Sequence, residues 1–193
     1  MNFEPRQLRP AAFLDRDGTM VVEKEYLADP DRIEVIPHAT DAVRLLNQRG
    51  CWVIGVTNQS GVARGYFGED VVRLMNARVI DLYAQAGARI DRIYYCPHYP
   101  TSGVPPCACR KPQRGMIDQA IRDLPIDLSR SVVIGDRADD IQLAHTIGAP
   151  GILVLTGYGR EESQALDHMT RPAHVAADLY DAVRWWDKAL SEV

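Results

Sequence analysis

Five short apolar runs recur along the chain: AAFL (residues 11–14), CWVIGV (51–56), RIYYC (92–96), SVVIGD (131–136) and GILVLT (151–156). Bounded by glycine or polar residues and mostly rich in β-branched side chains, they are patterned as buried strands. The segments between them are patterned as amphipathic helices. ATDAVRLLNQRG puts Ala39, Ala42, Val43 and Leu46 on one face and closes with Gly50 at a C′ position. Residues 69–86 and 113–123 also suit helices, as does DDIQLAHTIGA, with Ile141, Ala144 and Ile147 on one side. The C-terminal DLYDAVRWWDKAL starts from Asp178 as an N-cap. Strands alternating with helices predict an α/β chain: a doubly wound parallel sheet covered on both faces. A length of 193 residues suits one sizeable core and is short for two, so residues 1–193 are expected to form one domain.

A net charge of −4 offers no large cationic field, which argues against nucleic acid or an anionic membrane as a partner. No stretch approaches the roughly 18 consecutive apolar residues of a membrane span. The N-terminal MNFEPRQLRPAAFLDRDG carries Arg6 and Arg9, but its apolar run of about five residues is too short for a signal peptide. The expected compartment is therefore the cytoplasm, where disulfides are rare.

The first run ends on two acids, Asp15 and Asp17, followed by Gly18 and Thr19. Two carboxylates two residues apart repel each other, so something must offset that local disadvantage. Three more polar clusters end or follow predicted strands: TNQSG from Thr57, Lys111, and GDRADD from Gly135. Parallel strands bring such ends to one edge of the sheet. Together they supply carboxylates, a hydroxyl and an ammonium, an inventory suited to phosphoryl transfer. Asp15 and Asp136 can give a hard cation such as Mg²⁺ its oxygen ligands. A lysine and a hydroxyl can steady phosphate oxygens, and one aspartate can attack phosphorus while another moves a proton. Each residue alone reads as a turn residue, a cap or a surface charge; the ordered set reads as a site.

DRDGT, TNQSG, RKP and GDRADD, in this order, resemble the four motifs of the haloacid-dehalogenase-like phosphohydrolases over roughly residues 11–157. That resemblance implies the family's Rossmann-like sheet and an enzyme, a phosphoric monoester hydrolase. It makes Asp15 the nucleophile of an aspartyl-phosphate and Asp17 the general acid and then base. It also makes Thr57 and Lys111 the grip on the phosphoryl group, and Mg²⁺ the ion held by Asp15, Asp136 and the main-chain carbonyl of Asp17. Of Asp139 and Asp140, the second is the acid expected to serve the metal through water or to orient the lysine.

Cys96, His98, Cys107 and Cys109 fall within fourteen residues and form a Cys₃His set fit for a closed, tetrahedral Zn²⁺ site. With no position left for water, the ion is expected to be structural and to fix the loop carrying Arg110 and Lys111. A redox-sensing cluster is the alternative. Cys51 opens an apolar run and reads as core.

The thiol loop is similar to that of a subgroup with two activities: release of the C7 phosphate of D-glycero-D-manno-heptose 1,7-bisphosphate, and hydrolysis of histidinol phosphate. TNQSGVARGYF, with Arg64 and Gly65, and the flap MVVEKEYLADPDRIEVIPHA look like the heptose branch. GDRADDIQLA, with Arg137, is at least as similar to the histidinol branch. The subgroup's flap contacts fall on Glu23, Lys24, Glu25 and Tyr26, and those after the second strand on Thr57, Asn58, Gln59 and Ser60. Arg64, Arg110 and Lys24 are spare cations for a distal phosphate, whereas a cationic histidinol amine would prefer Glu23 and Glu25. The favoured substrate is the sugar bisphosphate, turned over by a monomer. A phospho-aspartate receiver module uses similar groups, but Asp17 beside the nucleophile favours turnover.

Overall fold

The computed structural model describes residues 7–100, 107–168 and 170–191. Residues 101–106 of the thiol loop and the first six residues, Arg6 among them, lie outside the described residues. The strands are β1 (Ala11–Leu14), β2 (Trp52–Asn58), β3 (Arg92–Cys96), β4 (Val132–Gly135), β5 (Gly151–Val154) and β6 (His174–Ala176). They form one parallel sheet in the order β3-β2-β1-β4-β5-β6. The order reverses between β1 and β4, and open α/β sheets place their ligands in the crevice beyond that junction.

Among the described residues, six α-helices accompany the strands: α1 (Ala39–Gln48), α2 (Glu69–Gln85), α3 (Gly115–Asp123), α4 (Ala138–Ile147), α5 (Gly159–Glu162) and α6 (Leu179–Ser191). The pleat of β1 sends Ala12 and Leu14 to one face of the sheet and Ala11 and Phe13 to the other. The first face is covered by Ala39, Ala42, Val43 and Leu46 of α1, Val79 and Tyr83 of α2, and Val183 of α6. Met116 and Ile117 of α3 and Leu143 and Ala144 of α4 cover the second. The sheet is thus buried on both sides, as the strand–helix alternation predicts.

Local chemistry fixes the element ends. Gly50 adopts φ +72° just beyond α1, a left-handed conformation that glycine takes without a Cβ clash. At the start of α6, Asp178 Oδ1 accepts the Asp181 N–H at 2.9 Å, as expected of an N-cap. Cys51 is fully buried in the core.

Some boundaries differ from expectation. β2 starts after Cys51 and continues through Thr57 and Asn58, so both polar residues sit on the strand itself. α3 starts at Gly115, where a Cβ would fall 2.3 Å from Ala108 O; the glycine lets the thiol loop pack against the helix start. β6 has no counterpart in the sequence pattern, because its three residues at the sheet edge form no apolar run. None of the described helices is long and apolar enough to cross a membrane.

Candidate active site

Asp15 follows β1 directly, and its N–H is held by Ile134 O of β4 at 2.9 Å. Asp136 follows β4 by the same logic, so the parallel pairing of β1 with β4 delivers both acids to the crevice at the sheet's reversal point. Lys111 Nζ reaches across to donate to Asp15 Oδ1 at 2.5 Å and to Asp140 Oδ1 at 2.7 Å. All three side chains are buried. Burial raises the pKa of the Asp15 carboxyl well above the usual carboxylate range; Lys111 opposes the shift and Asp140 adds to it. Burial alone would lower the Lys111 pKa, but Asp140 and Asp15 outweigh it and hold the pKa above the ordinary lysine value. Asp140, rather than the half-buried Asp139, is the acid that the lysine contacts.

Asp136 Oδ2 accepts the Tyr158 N–H at 2.8 Å, while its Oδ1 is buried without a hydrogen-bond partner. Burial, with Asp140 adding to it, pushes the Asp136 carboxyl up to about 7. An orphaned buried carboxylate oxygen calls for a compensating group. Asp15, Asp136 and Asp140 each offer an oxygen within 4.8 Å of the others, a hard-donor set that fits a divalent cation. The Asp17 carboxylate stands outside this trio, leaving only its main-chain carbonyl for the ligand role the motif implies.

Space around Asp136 is made by two glycines. A Cβ on Gly18 would lie 2.2 Å from Asp136 Oδ2, and one on Gly157 would lie 2.1 Å from it and 2.6 Å from Gly18 Cα. The turn at Gly18, at φ +83°, therefore admits this carboxylate as well as bending the chain after the acids.

Asp17 is enclosed by donors. Arg16 Nη2 and Nε reach its Oδ2 at 2.8 and 3.1 Å, and Gln59 Nε2 donates to the same oxygen at 2.8 Å. Gln59 Nε2 also donates to Thr57 Oγ1 at 2.9 Å, which ties the acid to the hydroxyl. Asn58 serves a different partner: it takes the Lys111 N–H on Oδ1 at 3.0 Å and donates from Nδ2 to Lys111 O at 3.3 Å.

A cleft of about 380 Å³ opens over these groups, and every residue expected to act on or contact substrate lines it. Its floor is Asp15, Asp17, Thr57 and Lys111. The walls include Ser60, the flap residues Glu23 to Tyr26, and three arginines. Arg64 stacks on the Tyr99 ring at 3.8 Å and Arg110 approaches the same ring at 5.6 Å, so one aromatic side chain gathers two guanidinium groups. Arg137 packs on Tyr158 at 3.8 Å. Lys24 corrects the expectation of a spare cation: its ammonium donates to Glu34 Oε1 at 2.5 Å and to Arg32 O at 2.9 Å, within the flap. Glu23 Oε1 accepts the Glu25 N–H at 2.8 Å, and Glu25 and Tyr26 turn the flap through left-handed φ values of 35° and 52°.

Five lining residues were not expected from the sequence: Arg16, Leu27, Gly61, Tyr99 and Tyr158. Arg16 sits between the motif acids and Tyr99 next to His98, positions that could have drawn notice. Nothing local marks Tyr158.

Beside the cleft, Cys96, His98, Cys107 and Cys109 converge. Cys109 Sγ lies 3.0 Å from Cys96 Sγ and 3.6 Å from Cys107 Sγ, and His98 Nδ1 lies 3.3 Å from Cys109 Sγ. All four donor atoms are mutually within 4.8 Å, and all cysteines are free thiols. One ion about 2.3 Å from each sulfur would fit the set. Burial would raise the Cys107 thiol pKa, yet the Arg110 N–H and the neighbouring thiols bring it down to about 7, toward the thiolate a metal needs. The Cys96 and Pro97 carbonyls accept the Gln59 and Ala63 N–H groups at 2.7 and 3.2 Å, so the thiol loop also holds the loop after β2.

Comparison with known proteins agrees with the fold. A family model described as HAD-hydrolase-like matches residues 108–182. A D-glycero-D-manno-heptose-1,7-bisphosphate 7-phosphatase from Thermosynechococcus vestitus is 42% identical over 186 residues, covering 92% of this chain and 95% of its own length. A D-glycero-beta-D-manno-heptose-1,7-bisphosphate 7-phosphatase from Rhodopseudomonas palustris is 43% identical over 147 residues, covering 74% of this chain and 82% of its own. Among solved structures, the D,D-heptose 1,7-bisphosphate phosphatase of B. bronchiseptica, crystallised with magnesium and phosphate, superposes with a TM-score of 0.82 at 32% identity. The match covers 95% of this chain and 99% of that one.

Proposed function

The chain belongs to the haloacid-dehalogenase-like phosphatases, among the heptose-1,7-bisphosphate 7-phosphatases, and from that premise we propose how its own residues carry the reaction. The reaction is hydrolysis of the C7 phosphate ester of D-glycero-D-manno-heptose 1,7-bisphosphate. An Asp15 carboxylate oxygen attacks the C7 phosphorus. The bond from phosphorus to the C7 oxygen breaks with its electron pair on that oxygen, which takes a proton from Asp17. In the second half, a water gives a proton to Asp17 and attacks the aspartyl-phosphate; the bond to Asp15 breaks, and inorganic phosphate leaves.

Lys111 and Thr57 hold the phosphoryl oxygens through the transfer. Asp140 keeps the ammonium charged and aimed, and Asn58 fixes the main chain that carries it. The observation carrying this reading is the 2.5 Å contact of Lys111 with Asp15 at the sheet's reversal point. Asp15, Asp136 and the Asp17 main-chain carbonyl, with Asp140 nearby, would hold Mg²⁺, which when bound offsets phosphate charge that buried carboxylates would otherwise repel. The Cys₃His cluster would hold a structural Zn²⁺ that anchors the Arg110–Lys111 segment.

The distal C1 phosphate is assigned to Arg64 and Arg110, which Tyr99 brings together, with Ser60 and the flap residues Glu23, Glu25 and Tyr26 facing the sugar hydroxyls. Arg137 lies on the Tyr158 side of the cleft, where it steadies charge near Asp136. A phosphate-release panel with α- and β-heptose 1,7-bisphosphates, histidinol phosphate and simple sugar phosphates tests the assignment. The expected result is the highest kcat/KM for a heptose bisphosphate, with the C1 phosphate retained in the product. Loss of the C1 phosphate, or a higher kcat/KM for histidinol phosphate, would overturn it.

A further inference from the structure

Arg16 lies between the two motif acids and has no part in the reaction as described. It is nonetheless only 3% exposed, unusual for an arginine at the mouth of a polar cleft. Its guanidinium is used in two directions. The Nε and Nη2 edge forms a fork on the Asp17 carboxylate, at 3.1 and 2.8 Å to Oδ2 with Nε also 3.2 Å from Oδ1. Nη1 points the other way and donates to Asn76 Oδ1 at 2.8 Å. Asn76 is itself buried, on the inner side of α2.

We propose that Arg16, anchored by Asn76, is a positioning residue that sets the rotamer of Asp17 and thereby aims its carboxylate at the leaving oxygen. The argument is geometric. An aspartate side chain has several staggered rotamers, so the direction of the Asp17 carboxylate must be chosen by its partners. A planar fork fixes both position and plane of a carboxylate in a way a single donor cannot. The fork is in turn tied to a helix: α2 packs on the sheet through Val79 and Tyr83, and Tyr83 Oη donates to Met20 O at 2.9 Å, in the turn after the acids. Gln59 completes the arrangement from the far side by donating to both Asp17 and Thr57. The proton carrier and the phosphate-gripping hydroxyl are thus set relative to each other by a chain of contacts from Asn76 through Arg16, Asp17 and Gln59 to Thr57.

The proposal rests on the assignment of Asp17 as proton carrier, and a double-mutant cycle separates the two ideas. Phosphate release from the heptose bisphosphate and from an aryl phosphate is measured for wild type, Arg16→Met, Asp17→Asn and the double variant. If Arg16 acts through Asp17, Arg16→Met lowers kcat on the sugar phosphate about 10–100-fold with KM little changed, the scale on which small misplacements act. The loss is smaller on the aryl phosphate, whose leaving oxygen needs a proton least. In the Asp17→Asn background the same substitution costs no more than about 3-fold, because coupled residues are not additive.

Asn76→Ala and Arg16→Lys guard against misfolding of Arg16→Met. The first leaves the guanidinium in place without its anchor, the second keeps charge without the fork, and both should show the same leaving-group dependence in weaker form. Additive losses in the cycle, losses equal for the two substrates, or unchanged kcat in all three single variants of the clamp would overturn the proposal. An unimpaired Asp17→Asn would instead overturn the role of Asp17, and the clamp with it.

Discussion

Asn58 grips Lys111 by its main chain, accepting its N–H and donating to its carbonyl with one side-chain amide. The ammonium that touches Asp15 is therefore set from two ends, by Asn58 behind it and Asp140 beside it. Asn58→Ala should leave the fold intact and lower kcat about 10–100-fold through a displaced lysine. Asn58→Asp, which keeps the acceptor but loses the donor, should fall between. Steady-state kinetics with a thermal melt on each variant checks this; wild-type kcat in Asn58→Ala would rule it out.

Asp15→Asn should retain the fold and lose activity by about 10⁴ or more, as for a residue acting within a catalytic unit. Activity should also vanish when divalent ions are removed and return with Mg²⁺. Near-normal phosphate release from the variant, or full activity in protein shown by metal analysis to hold no divalent ion, would refute the nucleophile or the cation respectively.

Gly157→Ala tests the space around Asp136. Its Cβ would fall 2.1 Å from Asp136 Oδ2 at a backbone φ of +53°. Displacing that carboxylate should raise the Mg²⁺ concentration needed for half-maximal rate more than it raises KM for substrate. A variant with an unaltered Mg²⁺ titration would show that the glycine pair does not shape the cation site.

Purified protein should contain about one zinc per chain. Cys107→Ser should lose it without unfolding the sheet. Hydrogen exchange should then quicken not only through residues 96–112 but also at residues 59 and 63, whose N–H groups bond to the Cys96 and Pro97 carbonyls. Unchanged protection in both segments together with unchanged kcat would separate the thiol cluster from the active edge.

Burial lifts the Cys51 thiol from its ordinary value of 9.0 to about 11. The folded protein then holds this proton to higher pH than the unfolded chain. The stabilising difference is complete below about pH 9 and is lost as pH rises toward 11. The difference in stability between wild type and Cys51→Ala should shrink over that window; a difference independent of pH would contradict it.

The strand pattern and the motif acids were legible because apolar runs of four to six residues and polar strand ends are local signals. What escaped was non-local. β6 consists of His174, Val175 and Ala176, and only its pairing with β5 makes it a strand. Arg16 looks like a solvated charge between two acids until α2 brings Asn76 against it. Lys24 looks like a free cation until Glu34, ten residues on, closes the flap on it. Tyr99 gathers Arg64 and Arg110 from separate loops, a meeting no window of sequence contains.

The central place of β1 has a consequence for how the enzyme comes into being. It is the earliest strand among the described residues, yet it pairs with β2 on one edge and with β4, whose partner residues are 132–134, on the other. Ala11 N–H is accepted by Ser131 Oγ at 2.9 Å across 120 residues of chain. During synthesis this strand therefore waits with one edge open until residues 132–134 have been made. Long-range parallel pairing is slow and leaves such edges open to wrong partners. It also means that a shortened chain ending before β4 leaves Asp15 without the strand whose Ile134 carbonyl holds its N–H. The two acids meet only once the growing chain has passed Asp136, long after Asp15 was made, so hydrolytic power does not arrive with the first strand.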